Sequence, residues 1–421
     1  MKIRDWDFNL KIRLGGEFSF NVILWAFFPF LPIYFAESFG KGATGALLVL
    51  SQALAVVANL SGGYCADRFG RKKMMIVAAS GQALGYGVFA LSASSWLPAP
   101  GLAFAGFAFA SMAGSFYYPA SQAMVADVVP EEHRSGVFAV FYTAVNIAVV
   151  IGPLIGSAFF LSAPSVVLTV AALFCSALAL LLVRFTRETL PQAIADRMHT
   201  ASKVPWHRAI AAQFRDYRVI IADKTFLLFV IAGVLLSQTF MQLDLLFPVF
   251  LKETVPIATV LHIGDWHWQM TGEKLFGLIV SENGLLVALF TVAVTRWLIG
   301  FKDRIIFIGG ALLYAVGIFM FGQMNTFLGF SAAIIVFTLA ELMSAGPQQA
   351  FVSRLAPEHV RGQYFAASSL RFTLGRTIAP LSIPLASAIG FSWTFGILAG
   401  ISIVSAILYN FMFNLYDRAN A

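Results

Sequence analysis

Long apolar runs separated by short polar interruptions make up nearly all of this chain, and the lengths of the runs decide its fold class. A helix needs about 20 apolar residues to cross the hydrocarbon core of a bilayer. Twelve runs meet that need, at roughly 14–36, 43–65, 74–95, 101–126, 137–161, 165–185, 225–250, 275–298, 305–323, 327–350, 364–388 and 391–415. The expectation is an all-α membrane protein with twelve transmembrane helices in contact with the lipid bilayer. Two interruptions are longer than the rest. Residues 187–224 are rich in Arg, Lys and Ala and have the polarity of an amphipathic linker lying along the membrane surface. Residues 252–274 contain Trp266, His267 and Trp268, a composition suited to an aromatic anchor at the water–lipid boundary.

The pattern also repeats. Pro130-Glu131-Glu132-His133-Arg134 precedes the fifth run, and Pro357-Glu358-His359-Val360-Arg361 precedes the eleventh. At the same spacing Phe138 matches Phe365 and Pro153 matches Pro380. Two pseudo-symmetric six-helix halves explain this, with residues 1–186 and 225–421 as the halves and 187–224 as the linker.

Composition agrees and excludes other classes. With 59% hydrophobic and 12% charged residues, the chain is not a soluble globular protein. A formal charge of +7 would suit a nucleic-acid binder, but the bases sit in short loops between apolar spans rather than on one face. Of 28 Lys and Arg, Lys41, Lys252 and Lys274 fall outside, and Arg371 and Arg376 fall within the eleventh run; 28 − 3 − 2 leaves 23 on one side. That asymmetry places both termini and the linker in the cytoplasm, in a bacterial-type inner membrane. The basic lead Lys2, Arg4, Lys11, Arg13 precedes a run too long for a signal peptide, and this run reads as the first helix. Cys65 and Cys175 lie too far apart in this topology to form a disulfide. All six histidines fall in loops, and there is no H-E-x-x-H, Walker loop or Cys/His cluster. No metal, cofactor or enzymatic chemistry is expected, so work must come from an ion gradient or from the substrate's own gradient.

The most informative loop is Gly63-Tyr64-Cys65-Ala66-Asp67-Arg68-Phe69-Gly70-Arg71-Lys72-Lys73. Its glycines permit a tight turn, and its acid can accept hydrogen bonds from the free amides of a helix N-terminus. The pattern G-x-x-x-D-R-x-G-R-K between the second and third runs resembles the signature of the major facilitator superfamily. That resemblance implies alternating access between two halves, with Gly63, Asp67, Arg68, Gly70 and Arg71 in a cytoplasmic latch. It also implies that Asp127 and Arg134, at the end of the fourth run and just beyond it, belong to the latch. Ala148 to Ser157 of the fifth run resembles the antiporter motif G-x-x-x-G-P-x-x-G-G through Gly152, Pro153 and Gly156, with Ala148 and Ser157 replacing two glycines.

Acids inside apolar runs are costly to leave charged, so each is a candidate for exchanging protons or pairing with a cation. Asp244, Glu282 and Glu341 meet that description, and all belong to the second half. The alternative is a permanent ion pair with Arg376 or Arg371. Glu17, one turn from Arg13, reads as an i, i+4 pair at the cytoplasmic edge. Asn146, Gln238, Tyr117, Tyr118 and Arg376 are candidates for lining a substrate cavity, the amides because facing lipid is costly and the rings because they attract cations.

Over most of its length the chain resembles the LmrP-type bacterial multidrug/proton antiporters, through Asn9 to Gly15, the Asp67 loop, Asp127, Asp244, Glu341 and Arg371. The resemblance implies proton-coupled export of lipophilic, amphipathic or cationic compounds by a monomer. Two departures bear on it. Phe141 stands where that group has an acid in helix 5, and Glu282 and Arg376 are additions. The rival readings are an uptake symporter or facilitator for a metabolite and, from another class, a membrane enzyme or a transporter-like receptor.

Overall fold

The computed structural model describes residues 3–191, 223–263, 265–355 and 361–420. Most of the expected linker, residues 192–222, and most of the second copy of the Pro-Glu repeat lie outside the described residues. The helices are α1 (Phe8–Phe27), α2 (Leu31–Phe69), α3 (Arg71–Ser92), α4 (Pro100–Val128), α5 (Glu131–Phe159) and α6 (Pro164–Phe185). They continue as α7 (Lys224–Phe240), α8 (Gln242–Leu245), α9 (Phe247–Thr254), α10 (Gly272–Leu298), α11 (Asp303–Phe321) and α12 (Phe327–Leu355). The last are α13 (Arg361–Ile378), α14 (Ser382–Ile389) and α15 (Phe391–Asn420).

Local chemistry sets several of these boundaries. Asp7 caps α1 by accepting from the Asn9 amide at 2.9 Å, and Asp223 caps α7 through the Phe226 amide at 3.1 Å. Prolines in the first turn open α2, α4 and α6, where the missing N–H costs nothing. Gly40 has φ +74° and bends the long α2 between two expected apolar runs. Nine segments among the described residues are long and apolar enough to cross a membrane. Each of the twelve expected runs falls mainly on a helix or on helices joined by a brief break.

The chain divides into two compact units, Met1–Ser38 with Leu50–Ala212, and Phe39–Val49 with Gln213–Ala421. Within the first, α1 packs on α5 and α6, and α3 on α4 and α6. Within the second, α7 packs on α13 and α15, and α11 on α12 and α15. The same pairing is built twice from the repeated pattern. The Phe39–Val49 stretch of α2 groups with the second unit, where Lys41 bonds Glu253 at 2.5 Å.

The long interruption at 252–274 carries an element that was not expected, a hairpin in which β1 (Ala258–Ile263) pairs antiparallel with β2 (Trp266–Met270), Leu261 opposite Trp268 and His262 opposite His267. The alternation of apolar Trp266, Trp268 and Met270 with polar His267 and Gln269 is a two-residue period, which an eye tuned to helical runs passes over.

Candidate functional site

In the second unit, two helices break at related places. α7 ends at Phe240, gives way to the single turn α8 and resumes as α9, with Pro248 in its first turn. α13 ends at Ile378 and passes through a 3₁₀ turn at Ala379–Leu381 into α14. A proline has no N–H to give the carbonyl four residues back. For Pro248 that carbonyl belongs to Asp244, and for Pro380 to Arg376. Both breaks therefore fall where the chain carries a charge.

Asp244 is buried on α8 and lies within electrostatic reach of both Glu341 on α12 and Arg376 on α13. Glu341 is half-buried and accepts a hydrogen bond from Asn283 Nδ2 on α10 at 3.1 Å. The same amide donates to Thr338 Oγ1 at 2.8 Å, which ties α10 to α12 beside the carboxylate. Glu282, one residue before Asn283, accepts from Ser331 Oγ at 2.8 Å. Glu341 and Glu282 are thus held by neutral donors. Arg376 acts on Asp244, and the hydrogen bond that orients Glu341 comes from Asn283. Arg371, fully buried, lies 4.2 Å from the Phe229 ring centroid and donates to Gln348 Oε1 and the Ser368 carbonyl.

The first unit gathers the loop residues differently. Arg71 bonds Asp67 on the preceding turn and Asp127 at the end of α4, the latter at 3.2 Å. Burial pushes Asp127 above the usual carboxylate range, opposed by the hydrogen bond and charge of Arg71 and the hydroxyl of Thr189. The α3 N-terminus is filled by Glu188, whose carboxylate accepts from the Arg71 amide at 2.8 Å and the Lys72 amide at 3.2 Å. Gly70, at φ +100°, leaves room for that carboxylate, which a Cβ would strike. Arg68 is exposed and reaches Tyr64 rather than the acids. Gly63 lies in α2 and Arg134 in α5, and the surroundings of the Arg134 side chain lie outside what is described.

Gly152 and Gly156 bring α5 onto the backbone of α1, since a Cβ at either would run into Trp25 or the Ala26 carbonyl. Pro153 sits between them inside α5. The expected Arg13–Glu17 pair is formed, at 2.6 Å. Arg13 is 0% exposed, lies 4.1 Å from the Phe141 ring centroid, and shares Glu17 with the Ser121 hydroxyl. Phe141, where the resembled group has an acid, therefore faces an arginine neutralised from its own helix.

The cavity candidates separate. Tyr118 is exposed and Asn146 half-buried. Tyr117 packs against the core of the first unit, and Gln238 is buried inside the second. Arg376 is exposed.

The Major Facilitator Superfamily model matches residues 14–380. The chain belongs to the major facilitator superfamily. A Na(+), Li(+), K(+)/H(+) antiporter of Planococcus maritimus is 51% identical over 99% of both chains. A multidrug resistance protein, MdtH, of Photorhabdus laumondii subsp. laumondii is 24% identical over 87% of this chain and 82% of its own. Among solved structures, a POT family transporter in complex with 5-aminolevulinic acid superposes with TM-score 0.76 at 16% identity, covering 95% of this chain and 94% of that one. As a member of the superfamily the chain is a multi-pass membrane transporter and not an enzyme.

Superfamily membership leaves several contacts that reading the sequence missed. Glu188 follows Arg187 at the start of the expected linker and reads there as one more surface charge. Asn283 and Gln242 each stand within two residues of an acid, and that adjacency in an apolar run was the available signal.

Proposed function

We propose that the protein is a proton-coupled antiporter that exports monovalent inorganic cations, with Asp244 and Glu341 as the groups for which proton and cation compete. The observation that carries this reading is a pair of acids inside the apolar second unit, Asp244 buried on α8 and Glu341 on α12 oriented by the Asn283 amide. A carboxylate there needs a neutralising partner, and a proton and a metal cation cannot both neutralise it. The hard oxygens of carboxylates, of Thr338 and of carbonyls freed at helix breaks suit an alkali cation. The antiporter relative at 51% identity supports the same class of cargo.

In this reading the chain works as a monomer in the inner membrane with both termini in the cytoplasm, and residues 1–186 and 225–421 rock about the 187–224 linker. Gly63, Asp67, Arg68, Gly70, Arg71, Asp127 and Arg134 form the cytoplasmic latch. Gly152, Pro153 and Gly156 govern the α1–α5 packing that changes during transport. Glu282 relays protons toward Glu341. Asn146, Tyr118 and Arg376 face the permeating species.

A second reading, export of lipophilic cationic drugs, draws on the multidrug resistance relatives. Proteoliposomes loaded with a pH gradient decide between them. Addition of Na+, Li+ or K+ should collapse the gradient, and Asp244→Asn or Glu341→Gln should prevent it. Collapse by a lipophilic cation but by none of the alkali cations would replace the first reading with the second.

A further inference from the structure

On α1, Lys11, Gly15 and Phe18 follow one another at the i, i+4, i+7 spacing of a single helix face, and Val140, Ala144 and Ile147 do the same on α5. The two faces line one groove of about 620 Å³, a volume in the range of small-molecule sites. All of its lining belongs to the first unit. On the buried side of the same stretch, Trp6 and Leu10 cluster with Val137 and Phe141. Leu14 and Val140 pack against that cluster and also line the groove, which gives it a floor. Seven residues at the helical rise make the groove about 10 Å long.

Its two ends differ. At one end stand Lys11 and, from the short 3₁₀ turn Ile3–Asp5, the side chain of Ile3. Lys11 Nζ donates to the Arg4 carbonyl at 2.6 Å, which holds that turn beside the groove and brings a second base to the same place. Both bases are exposed. Asp7 is taken by Arg187 at 2.6 Å, and among the described residues no carboxylate pairs with Lys11 or Arg4. Beyond Lys11 the lining carries no charge. Gly15 leaves the middle open, since nothing lies within 4 Å of the place a Cβ would take.

A groove on membrane-spanning helices is filled from the bilayer, and this one asks for an anion at one end and an apolar chain along the rest. We propose that it is a binding site for one anionic phospholipid, with the phosphate on Lys11 and Arg4 and an acyl chain lying over Gly15 between Phe18, Ala144 and Ile147. Bases at the membrane boundary attract anionic headgroups, whereas a choline headgroup brings its own cation to the same place. A lipid that binds only the folded protein also stabilises it by mass action. The site shares no residue with the exchange acids and does not rest on that reading.

Native mass spectrometry of the full chain in nonionic detergent reads lipid retention and oligomeric state together. The probes are phosphatidylglycerol and phosphatidylcholine with identical chains. The parent should retain one phosphatidylglycerol and prefer it to phosphatidylcholine by about tenfold. Lys11→Gln should weaken phosphatidylglycerol about fivefold, the share of one base near an anionic surface, and leave phosphatidylcholine unchanged. Gly15→Leu puts a side chain into the groove without striking a neighbour and should lower retention of both lipids. Lys11→Glu, at an exposed position, should abolish the preference and serves if Gly15→Leu does not fold. Equal retention of the two lipids by the parent overturns the proposal. So does unchanged phosphatidylglycerol retention in either folded variant, Lys11→Gln or Gly15→Leu, because a contact with the head alone or the chain alone is not this site. If Gly15→Leu instead turns a dimer into a monomer, the occupant is a second copy of the chain and the proposal falls.

Discussion

The two units of this transporter treat buried charge in opposite ways. In the first, Glu17 is locked to Arg13, and Asp67 and Asp127 share Arg71. In the second, Glu341 and Glu282 are oriented by an amide and a hydroxyl, while buried Arg371 rests on Gln348, a carbonyl and the Phe229 ring. An acid with its own arginine has a permanent counter-charge and is part of the frame. An acid held by neutral donors is left to be neutralised by something that arrives and departs. That difference supports the proposal that the first unit's charges are architectural and that those of the second exchange ions.

The largest expected effect comes from removing an exchangeable acid. Glu341→Gln should reduce proton-coupled cation flux to the background of empty proteoliposomes while leaving the melting temperature near that of the parent. A folded Glu341→Gln protein with normal coupled flux would erase the contrast between the units. Next comes the frame. Glu17→Gln strands Arg13 in a dry core at a cost of about 3–5 kcal/mol. Thermal unfolding in detergent should show a clear loss for this variant, and equal stability of Glu17→Gln and the parent would show that the first unit's pair is dispensable.

How much of this contrast was legible in the sequence depended on distance along the chain. The Arg13–Glu17 pair follows from a spacing of four on one helix, and Asp67 with Arg71 from the same spacing in the loop. The lengths of the apolar runs gave the helices, and the spacing of Pro153 and Pro380 pointed to the repeat. Contacts that only tertiary packing creates were not readable. Nothing near Glu188 says that it will fill the α3 N-terminus more than a hundred residues back, and nothing near Gln242 says that its amide will meet the Ala379 carbonyl and the Ser382 hydroxyl. Arg376 was weighed as a partner for Glu341, because sequence places both in the membrane without saying which acid α13 faces. The burial of Arg13 was not readable either, since nothing in the first helix says that α5 will lay Phe141 over it.

Two smaller effects sharpen the comparison. Asp67→Asn weakens the loop triad without touching the exchange acids. Transport should slow by about fivefold or more, the range of a typical coupling free energy, with Na+ affinity unchanged. Distances between spin labels on the two units should shift, and unchanged distances would return the loop to a topological role. Glu282→Gln should have the mildest consequence, about a twofold loss of rate, because its carboxylate is half-exposed and held only by Ser331. A loss as complete as that of Glu341→Gln would promote Glu282 to the exchange pair.

The competition itself is open to direct observation, without a membrane or a gradient. Purified protein in weakly buffered detergent solution should release protons when Na+ is added, because a cation entering the Asp244–Glu341 site displaces the proton held there. A pH-indicator dye reads that release. The account predicts acidification from the parent protein that is absent from Asp244→Asn and Glu341→Gln, both folded. Equal proton release from the parent and from folded Glu341→Gln, or none from a parent shown to bind Na+, would contradict it.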